Sequence, residues 1–205
     1  MNIPGHAGLT MSAVYALGYL ADALAARGQA QSEDAGPWRS RLWTRAQTLP
    51  RSVLRLRIDL RLLIFGAWLP DIIDKPLSFW LLPEAVNHST RSVGHSLLFN
   101  AALLAAALAV LGLAGRAWPV ALALGSIGHL LLDKMWEIPV ILLWPFLGWR
   151  FPTGTTSLDE YFLFYIRGAL ASPWELVGAL VLLWFALQLY RRRVLVRFLK
   201  TGNAE

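Results

Sequence analysis

The sequence of 205 residues contains no cysteine and has few charged residues. Without cysteine the chain can form no disulfide bond and offers no thiolate to a metal or a substrate, so any metal site must use nitrogen and oxygen ligands. Charged residues make up only 16% of the chain, whereas soluble domains have about a quarter. Hydrophobic residues make up 56%. This composition excludes an ordinary soluble domain and indicates a membrane protein.

Five apolar segments predict membrane-spanning helices, so residues 1–205 would form one all-α membrane domain. The segments are residues 8–26, 62–73, 96–115, 117–132 and 176–190. The third is free of charge, and a helix of about 20 residues crosses about 30 Å of hydrocarbon. Residues 138–148 are too short to cross and contain two prolines, so we expect a re-entrant or interfacial segment there.

The basic residues favour one orientation of the spans. If the N-terminus lies outside, 14 of the 19 lysines and arginines fall on the inner side and five on the outer side. The inner group occupies the loop 27–61, the turn at Arg116 and the tail 191–205. Basic loops stay preferentially in the cytoplasm, so the N-terminus is predicted outside and the C-terminus inside. We expect the basic loop 28–57 to lie on anionic lipid headgroups and not to bind nucleic acid.

This orientation places nearly all the chemically useful side chains at the outer ends of the spans. They are His6, His88, His95 and His129, together with Asp71, Asp74, Asp133 and Glu137. Asp71 and Asp74 are three residues apart and His129 and Asp133 are four apart, so each pair can share one helix face. A charge at the centre of a membrane costs about 2.5–3.5 kcal/mol, so acids in such segments are rarely incidental.

Some of these residues also have a purely structural explanation. Asp71 could pair with Lys75 where a helix ends at the membrane surface, and His95 could simply begin the next helix. Taken together, however, the residues supply imidazole and carboxylate groups from three different spans. This combination predicts a metal site, for which His6 near the N-terminus and His88 in a polar loop are weaker candidates.

Short motifs occur along the chain in an order that is typical of one family. They are His6, Gly66-Ala67-x-Leu69-Pro70-Asp71-x-x-Asp74, Arg91-x-x-x-His95-Ser96-Leu97-Leu98, Gly128-His129-Leu130-Leu131-Leu132-Asp133 and Trp144-Pro145-Phe146. Over residues 6 to about 150 the chain resembles the bacterial and archaeal inner-membrane proteins described as membrane-bound metal-dependent hydrolases, the YdjM-like or YbcI-like proteins. The family often has His-Arg before a Thr-His-Ser triplet, whereas this chain has Thr90 before Arg91 and Gly94 before His95. A ligand supplied there is missing unless His88 replaces it.

The resemblance implies a metal-dependent hydrolase of the bacterial or archaeal cytoplasmic membrane. The ligands that we expect are His6, Asp71, His95, His129 and Asp133. Mixed nitrogen and oxygen ligands suit Zn²⁺, Mn²⁺ or Fe²⁺ better than Ca²⁺, and we expect one or two zinc ions that acidify water and polarise the scissile bond. Asp74 would bridge the metal or act as the base. Arg91 would hold a phosphate or carboxylate of the substrate, or else contact a lipid headgroup.

A site at the mouth of the spans would admit an amphiphile from the outer leaflet, so the favoured substrate is a lipid-linked ester or phosphoester. Two other functions remain open. A metal-ion or proton transporter would place such residues near the membrane midplane rather than at one rim. A non-catalytic scaffold would use them for helix capping and hydrogen bonds and would bind no metal.

Overall fold

The computed structural model describes residues 4–14, 16, 59–155 and 157–201. The chain divides into two compact units, of which one comprises residues 1–11 and 58–205 and the other residues 12–57. The predicted basic loop 28–57 and most of the predicted span 8–26 lie outside the described residues. Every regular element in the described ranges is helical, which confirms the all-α class.

Eight α-helices are present in the described part of the chain, together with two short turns of other helical types. In chain order the elements are α1 (residues 4–14), α2 (Leu60–Pro76), the π-helical turn Leu77–Leu81, α3 (Leu97–Ala114), α4 (Trp118–Leu132), the 3-10 turn Met135–Glu137, α5 (Pro139–Leu142), α6 (Leu158–Ala171), α7 (Pro173–Arg191) and α8 (Leu195–Thr201). Helix α4 packs against both α2 and α3, and these three helices form the part of the fold that positions the site.

Side-chain oxygens fix the starts of α2 and α3. Asp59 accepts a hydrogen bond from the backbone N–H of Arg61 at 3.0 Å, and the hydroxyl of Ser96 accepts one from the N–H of Phe99 at 3.1 Å. These bonds satisfy backbone donors that the first turn of a helix leaves unpaired. Because Ser96 directly follows His95, the start of α3 also fixes where His95 lies.

Among the described residues, two helices are long and apolar enough to cross a membrane, α3 and α7. They coincide with the predicted spans 96–115 and 176–190. The apolar α4 is shorter, so the total of five spans stays a prediction. Only 11% of α3 is buried inside the structure, and Leu113 is 91% exposed. An apolar helix with so little of its surface covered by protein suits a lipid environment.

Glycines let the backbones of α2 and α4 touch. A Cβ atom added to Gly66 would lie 2.2 Å from the carbonyl oxygen of Leu122, and one added to Gly125 would lie 2.2 Å from that of Leu63. Small residues at such contacts allow membrane helices to approach closely. Each glycine precedes a candidate ligand on its own helix by about one turn, so the contact brings the ligand-bearing ends of α2 and α4 together.

Residues 138–148 do not form a spanning helix. The segment contains the short α5, followed by turns and a cis peptide bond between Trp144 and Pro145. Ile141 is buried in a small hydrophobic core, whereas Phe146 is 79% exposed and the nearby Trp149 is 76% exposed. One side of the segment is therefore packed and the other presents aromatic rings outwards, while its location at the membrane interface remains a prediction.

Candidate metal centre

The five residues expected to bind metal lie together in the structure. They form two groups of three, and His129 belongs to both. One group is His6, His129 and Asp133, and the other is Asp71, His95 and His129, with one ligand atom from each residue. Within each group these atoms lie within 4.8 Å of one another. The three histidines are buried, with at most 1% of their surface exposed. Imidazole and carboxylate groups so arranged are ligands that a transition metal ion accepts.

The Nε2 atoms of His95 and His129 face each other at a distance of 3.1 Å. His129 Nδ1 lies 2.7 Å from the carbonyl oxygen of Ala67. A carbonyl oxygen can only accept, so this nitrogen carries the hydrogen. His95 Nδ1 lies 2.7 Å from a carboxylate oxygen of Asp74 that also accepts backbone N–H bonds. His95 therefore donates from Nδ1 in the same way.

Two neutral imidazoles held like this face each other with lone pairs, not with a donor and an acceptor. At 3.1 Å the two nitrogens repel each other unless a cation lies between them, either a proton or a metal ion. The bonds made by the opposite nitrogens, to a carboxylate and to a backbone carbonyl, are those that metal-binding histidines usually make, since they fix the tautomer and the ring orientation.

Asp71 and Asp133 bring carboxylate oxygens towards the same nitrogens. Asp71 Oδ1 lies 3.8 Å from His95 Nε2. Asp133 Oδ2 lies 3.9 Å from the Nε2 atoms of both His95 and His129. These separations are too long for hydrogen bonds. His95 Nε2 thus has three potential ligand atoms within 3.9 Å, from His129, Asp71 and Asp133, whereas a shared proton needs only one partner.

His6 reaches the cluster from α1. Its Nε2 atom lies 3.0 Å from Asp133 Oδ1, and its ring stacks on that of His129 with the ring centroids 4.0 Å apart. The N–H of the neighbouring Gly5 donates a hydrogen bond to Glu175 Oε2 at 2.9 Å. Helix α7, which carries Glu175, thus holds the start of α1 beside the cluster.

Asp74 lies outside the two ligand groups, and its expected role as a bridging ligand or a base stays a prediction. The side chain is fully buried. Its oxygens accept hydrogen bonds from the backbone N–H groups of Ser92 at 2.6 Å, Gly94 at 2.8 Å and His95 at 3.2 Å, and from His95 Nδ1. The backbone before α3 needs these acceptors, so Asp74 lies behind His95 and orients its ring.

Arg91 binds Asp133 directly, with 2.7 Å between Arg91 Nη2 and Asp133 Oδ2. Asp133 follows the end of α4. Burial raises the pKa of this carboxyl group, but the bond from His6 and the positive charge of Arg91 lower it further, so its pKa lies below the ordinary range. Asp133 therefore stays ionised, as a metal ligand must. A guanidinium has five donors, so the expected contact between Arg91 and a substrate stays a prediction.

Two neighbouring residues that belong to neither ligand group each face a carboxylate. Lys75 Nζ lies 2.7 Å from Asp71 Oδ2, the pairing that the structural explanation of the sequence predicted. His88 Nε2 lies 3.5 Å from Glu84 Oε1, and His88 belongs to neither ligand group. The structure therefore does not support His88 as the replacement for a missing family ligand.

A cavity of about 390 Å³ adjoins the cluster. Its lining residues are Asp71, Lys75, Thr90, Arg91, Asp133, Tyr161, Phe164, Tyr165, Gly168, Ser172 and Glu175. The contribution of α6 and α7 was missed from the sequence. The four-residue spacing of Tyr161 and Tyr165 was a usable signal, since it places both rings on one helix face. Glu175 carried no such signal, because its role depends on a contact with α1.

Comparison with known proteins yields one family. The profile described as YdjM inner membrane protein matches residues 1–203. Searches of curated proteins and of solved structures found no match. The matched range includes all five candidate ligands and the residues that line the cavity.

Proposed function

The chain belongs to the YdjM inner membrane protein family, and from this premise we propose that it is a metal-dependent hydrolase acting on an ester or phosphoester of a lipid or another amphiphile. The family supports a place in the inner membrane. The catalytic activity, the metal and the substrate class are inferences from the cluster of buried ligands and the cavity beside it.

The facing Nε2 atoms of His95 and His129 carry the proposal. Two nitrogens that each lie about 2.0–2.1 Å from one tetrahedral zinc ion are themselves about 3.3 Å apart, and the observed separation of 3.1 Å is within a few tenths of an ångström of this value. The ligand types also fit, since imidazole with carboxylate suits Zn²⁺, Mn²⁺ or Fe²⁺. We favour Zn²⁺.

We propose one ion per chain. The two ligand groups share His129, whose Nδ1 is bonded to the carbonyl oxygen of Ala67. Only Nε2 remains to bind metal, so His129 can serve a single ion. When bound, a divalent ion acidifies water and polarises an ester or phosphoester oxygen. Asp71 and Asp133 would hold it together with the histidines, and Asp74 would keep His95 in the required orientation.

Exposed tryptophans support an amphiphilic substrate. Trp80 and Trp136, which follow the site-bearing ends of α2 and α4, are 68% and 56% exposed, and Trp149 is 76% exposed. Tryptophan rings collect at the level of the lipid headgroups. The cluster and its cavity would then lie at that level, where the polar part of a lipid can enter. We retain the orientation with the N-terminus outside, which makes this the outer face.

The first experiment measures bound metal. The full chain, purified in a mild detergent, is analysed by inductively coupled plasma mass spectrometry alongside His129→Ala and Asp71→Ala. We expect about one zinc ion per wild-type chain and at least a tenfold weaker zinc affinity in both variants. The control is His88→Ala, which removes an imidazole outside the ligand groups and should retain the ion. Zinc content that is equal in all four proteins would remove the proposed centre.

Turnover is measured on the same samples, as headgroup release from phospholipid in mixed micelles, with and without added zinc. We expect release by wild type and by His88→Ala, and loss of release in the two ligand variants. If wild-type protein binds zinc but instead carries it across the membrane of proteoliposomes, the protein is a transporter and the hydrolase proposal fails.

A further inference from the structure

The cavity beside the ligand cluster has two positive side chains that the ligand set leaves out. Lys75 Nζ is bonded to Asp71 Oδ2, whose other oxygen faces His95. Arg91 Nη2 is bonded to Asp133 Oδ2. Each carboxylate of the cluster is thus joined to one cation, and both cations line the cavity. Lysine has three donors and arginine five, so each has donors beyond those that its carboxylate occupies.

The charge of the cavity suits a ligand with one negative charge. Its described lining contains the two cations and three carboxylates, which belong to Asp71, Asp133 and Glu175. With these groups ionised the lining is negative by one charge, and a divalent ion makes it positive by one. A phosphodiester carries one negative charge, so it would neutralise the site. Charges out of water are tolerated when they are paired, which disfavours a dianionic phosphomonoester here.

The opposite wall of the cavity is aromatic and opens towards an apolar surface. Tyr161 and Tyr165 of α6 lie over Lys75 Nζ, with 5.8 and 5.1 Å from the nitrogen to the ring centroids. Phe164 lines the cavity and is 77% exposed, so it forms part of the rim. The adjacent Leu163 is 55% exposed. A polar group inside the cavity could therefore continue into an acyl chain that lies along α6.

The size of the cavity agrees with a polar group inside it and an acyl chain outside it. A volume of about 390 Å³ lies at the low end for small-molecule sites, which range from about 300 to 1,000 Å³. It can hold a headgroup, while the acyl chains have to remain outside in the lipid. A soluble phosphate compound would fill the polar part but leave the aromatic rim uncovered.

We propose that this cavity binds the phosphodiester headgroup of an anionic phospholipid, with Lys75 and Arg91 holding the phosphate oxygens and Phe164 contacting the start of an acyl chain. This inference deepens the proposed function and rests on it for the charge supplied by the metal ion. It adds Lys75 and the α6 wall as determinants of the substrate.

The test measures lipid binding separately from catalysis. The full chain in detergent is titrated by isothermal calorimetry with dihexanoyl phosphatidylglycerol, in the zinc-loaded and the chelator-stripped state, and bound zinc is measured in every sample. We expect Lys75→Gln and Arg91→Gln each to raise the Kd by about tenfold or more while zinc stays bound, since each removes a hydrogen bond from a charged donor to the phosphate. Arg116→Gln, in the exposed turn before α4, is the control and should leave the Kd unchanged.

Three further ligands identify what the cavity recognises. Dihexanoyl phosphatidic acid offers a phosphomonoester, dihexanoyl phosphatidylcholine a headgroup without net charge, and sn-glycerol 3-phosphate a phosphate without acyl chains. We expect all three to bind more weakly than phosphatidylglycerol, and Phe164→Ala to weaken lipid binding without affecting glycerol phosphate. Tightest binding of glycerol phosphate would overturn the lipid assignment, and tightest binding of phosphatidic acid would overturn the charge argument.

The outcomes separate this inference from the proposed function. An unchanged Kd in both cation variants overturns the inference. A loss of lipid binding that occurs only in those cation variants that have also lost zinc overturns it as well, whereas weaker binding by zinc-stripped wild type is expected. Lys75→Arg, which keeps the charge, should restore most of the affinity if Lys75→Gln folds poorly. If wild-type protein holds zinc and binds phosphatidylglycerol through Lys75 and Arg91 but releases no headgroup, the headgroup site stands and the hydrolase proposal falls.

Discussion

Replacing Asp74 by asparagine separates the two roles that this residue has been given. Asp74→Asn keeps the shape of the side chain but turns one acceptor oxygen into an N–H₂ donor. In the structure one oxygen of Asp74 accepts three hydrogen bonds and the other accepts the N–H of Gly94. The amide can retain the first three only by directing its N–H₂ group at the N–H of Gly94, 2.8 Å away.

The expected loss of stability follows from this mismatch. One buried donor loses its acceptor, which costs about 1–3 kcal/mol, and the remaining bonds no longer involve a charged acceptor. The ring of His95 is held less firmly and its Nε2 becomes less basic. Loss of such a supporting group typically lowers metal affinity by about 10–100-fold, or about 1.4–2.7 kcal/mol. We therefore expect weaker zinc binding and a lower melting temperature.

The assay is competition for zinc with a fluorescent chelator, run on detergent-purified protein beside thermal unfolding followed by tryptophan fluorescence. The control is Asp59→Asn, the same substitution at the other end of α2, where asparagine caps a helix about as well as aspartate does. It should lose only the charge pairing with Arg61 and leave zinc affinity unchanged. If Asp74→Asn binds zinc as wild type does but loses about 10²–10⁴-fold in turnover, the residue is a proton-transferring group and the positioning role is wrong.

Three further predictions concern the metal count, the helix contact and pH. Because His129 offers a single nitrogen, zinc titration should saturate at about one ion per chain, and saturation at two would contradict the shared-ligand geometry. Gly66→Val should prevent close packing of α2 and α4 and abolish the peak of folded protein on size-exclusion chromatography, whereas Gly112→Val, which meets nothing within 4 Å, should remain folded. Burial raises the pKa of Asp59 before α2, but hydrogen bonds from Arg61 lower it more, so the net shift is downward. A carboxyl whose pKa is depressed on folding stabilises the protein above its unfolded pKa, so the advantage of wild type over Asp59→Asn in melting temperature should be constant above about pH 5 and shrink as the pH falls below about 4.

The hydrophobic pattern predicted the ends of a helix correctly where the residues next to those ends determine them. The charge-free run 96–115 became α3, Leu97–Ala114, because Ser96 caps its start and Gly115 ends it with a left-handed φ of 65°. The four-residue spacing likewise placed His129 and Asp133 correctly. Both properties depend only on neighbours in the sequence, which is why they could be predicted from it.

The features that the sequence could not supply depend on contacts between distant segments. Asp71 and Asp74 have the spacing of two residues on one helix face, but the backbone before α3 lies against Asp74 alone and occupies its carboxylate. Similarly, the spacing of Tyr161 and Tyr165 places both rings on one face of α6, but only the packing of α6 makes that face part of a cavity wall. Such roles arise from the packing of one segment on another.

The wide separation of the ligands along the chain has a consequence for biosynthesis. The first candidate ligand is His6, and the last two, His129 and Asp133, belong to α4 and the residue after it. A nascent chain that has not yet produced α4 lacks one of the two facing imidazoles and one of the carboxylates. An ion bound as we propose could gain its full set of ligands only after α4 has been synthesised, so an ion held by all of them would mark a polypeptide that has completed its assembly.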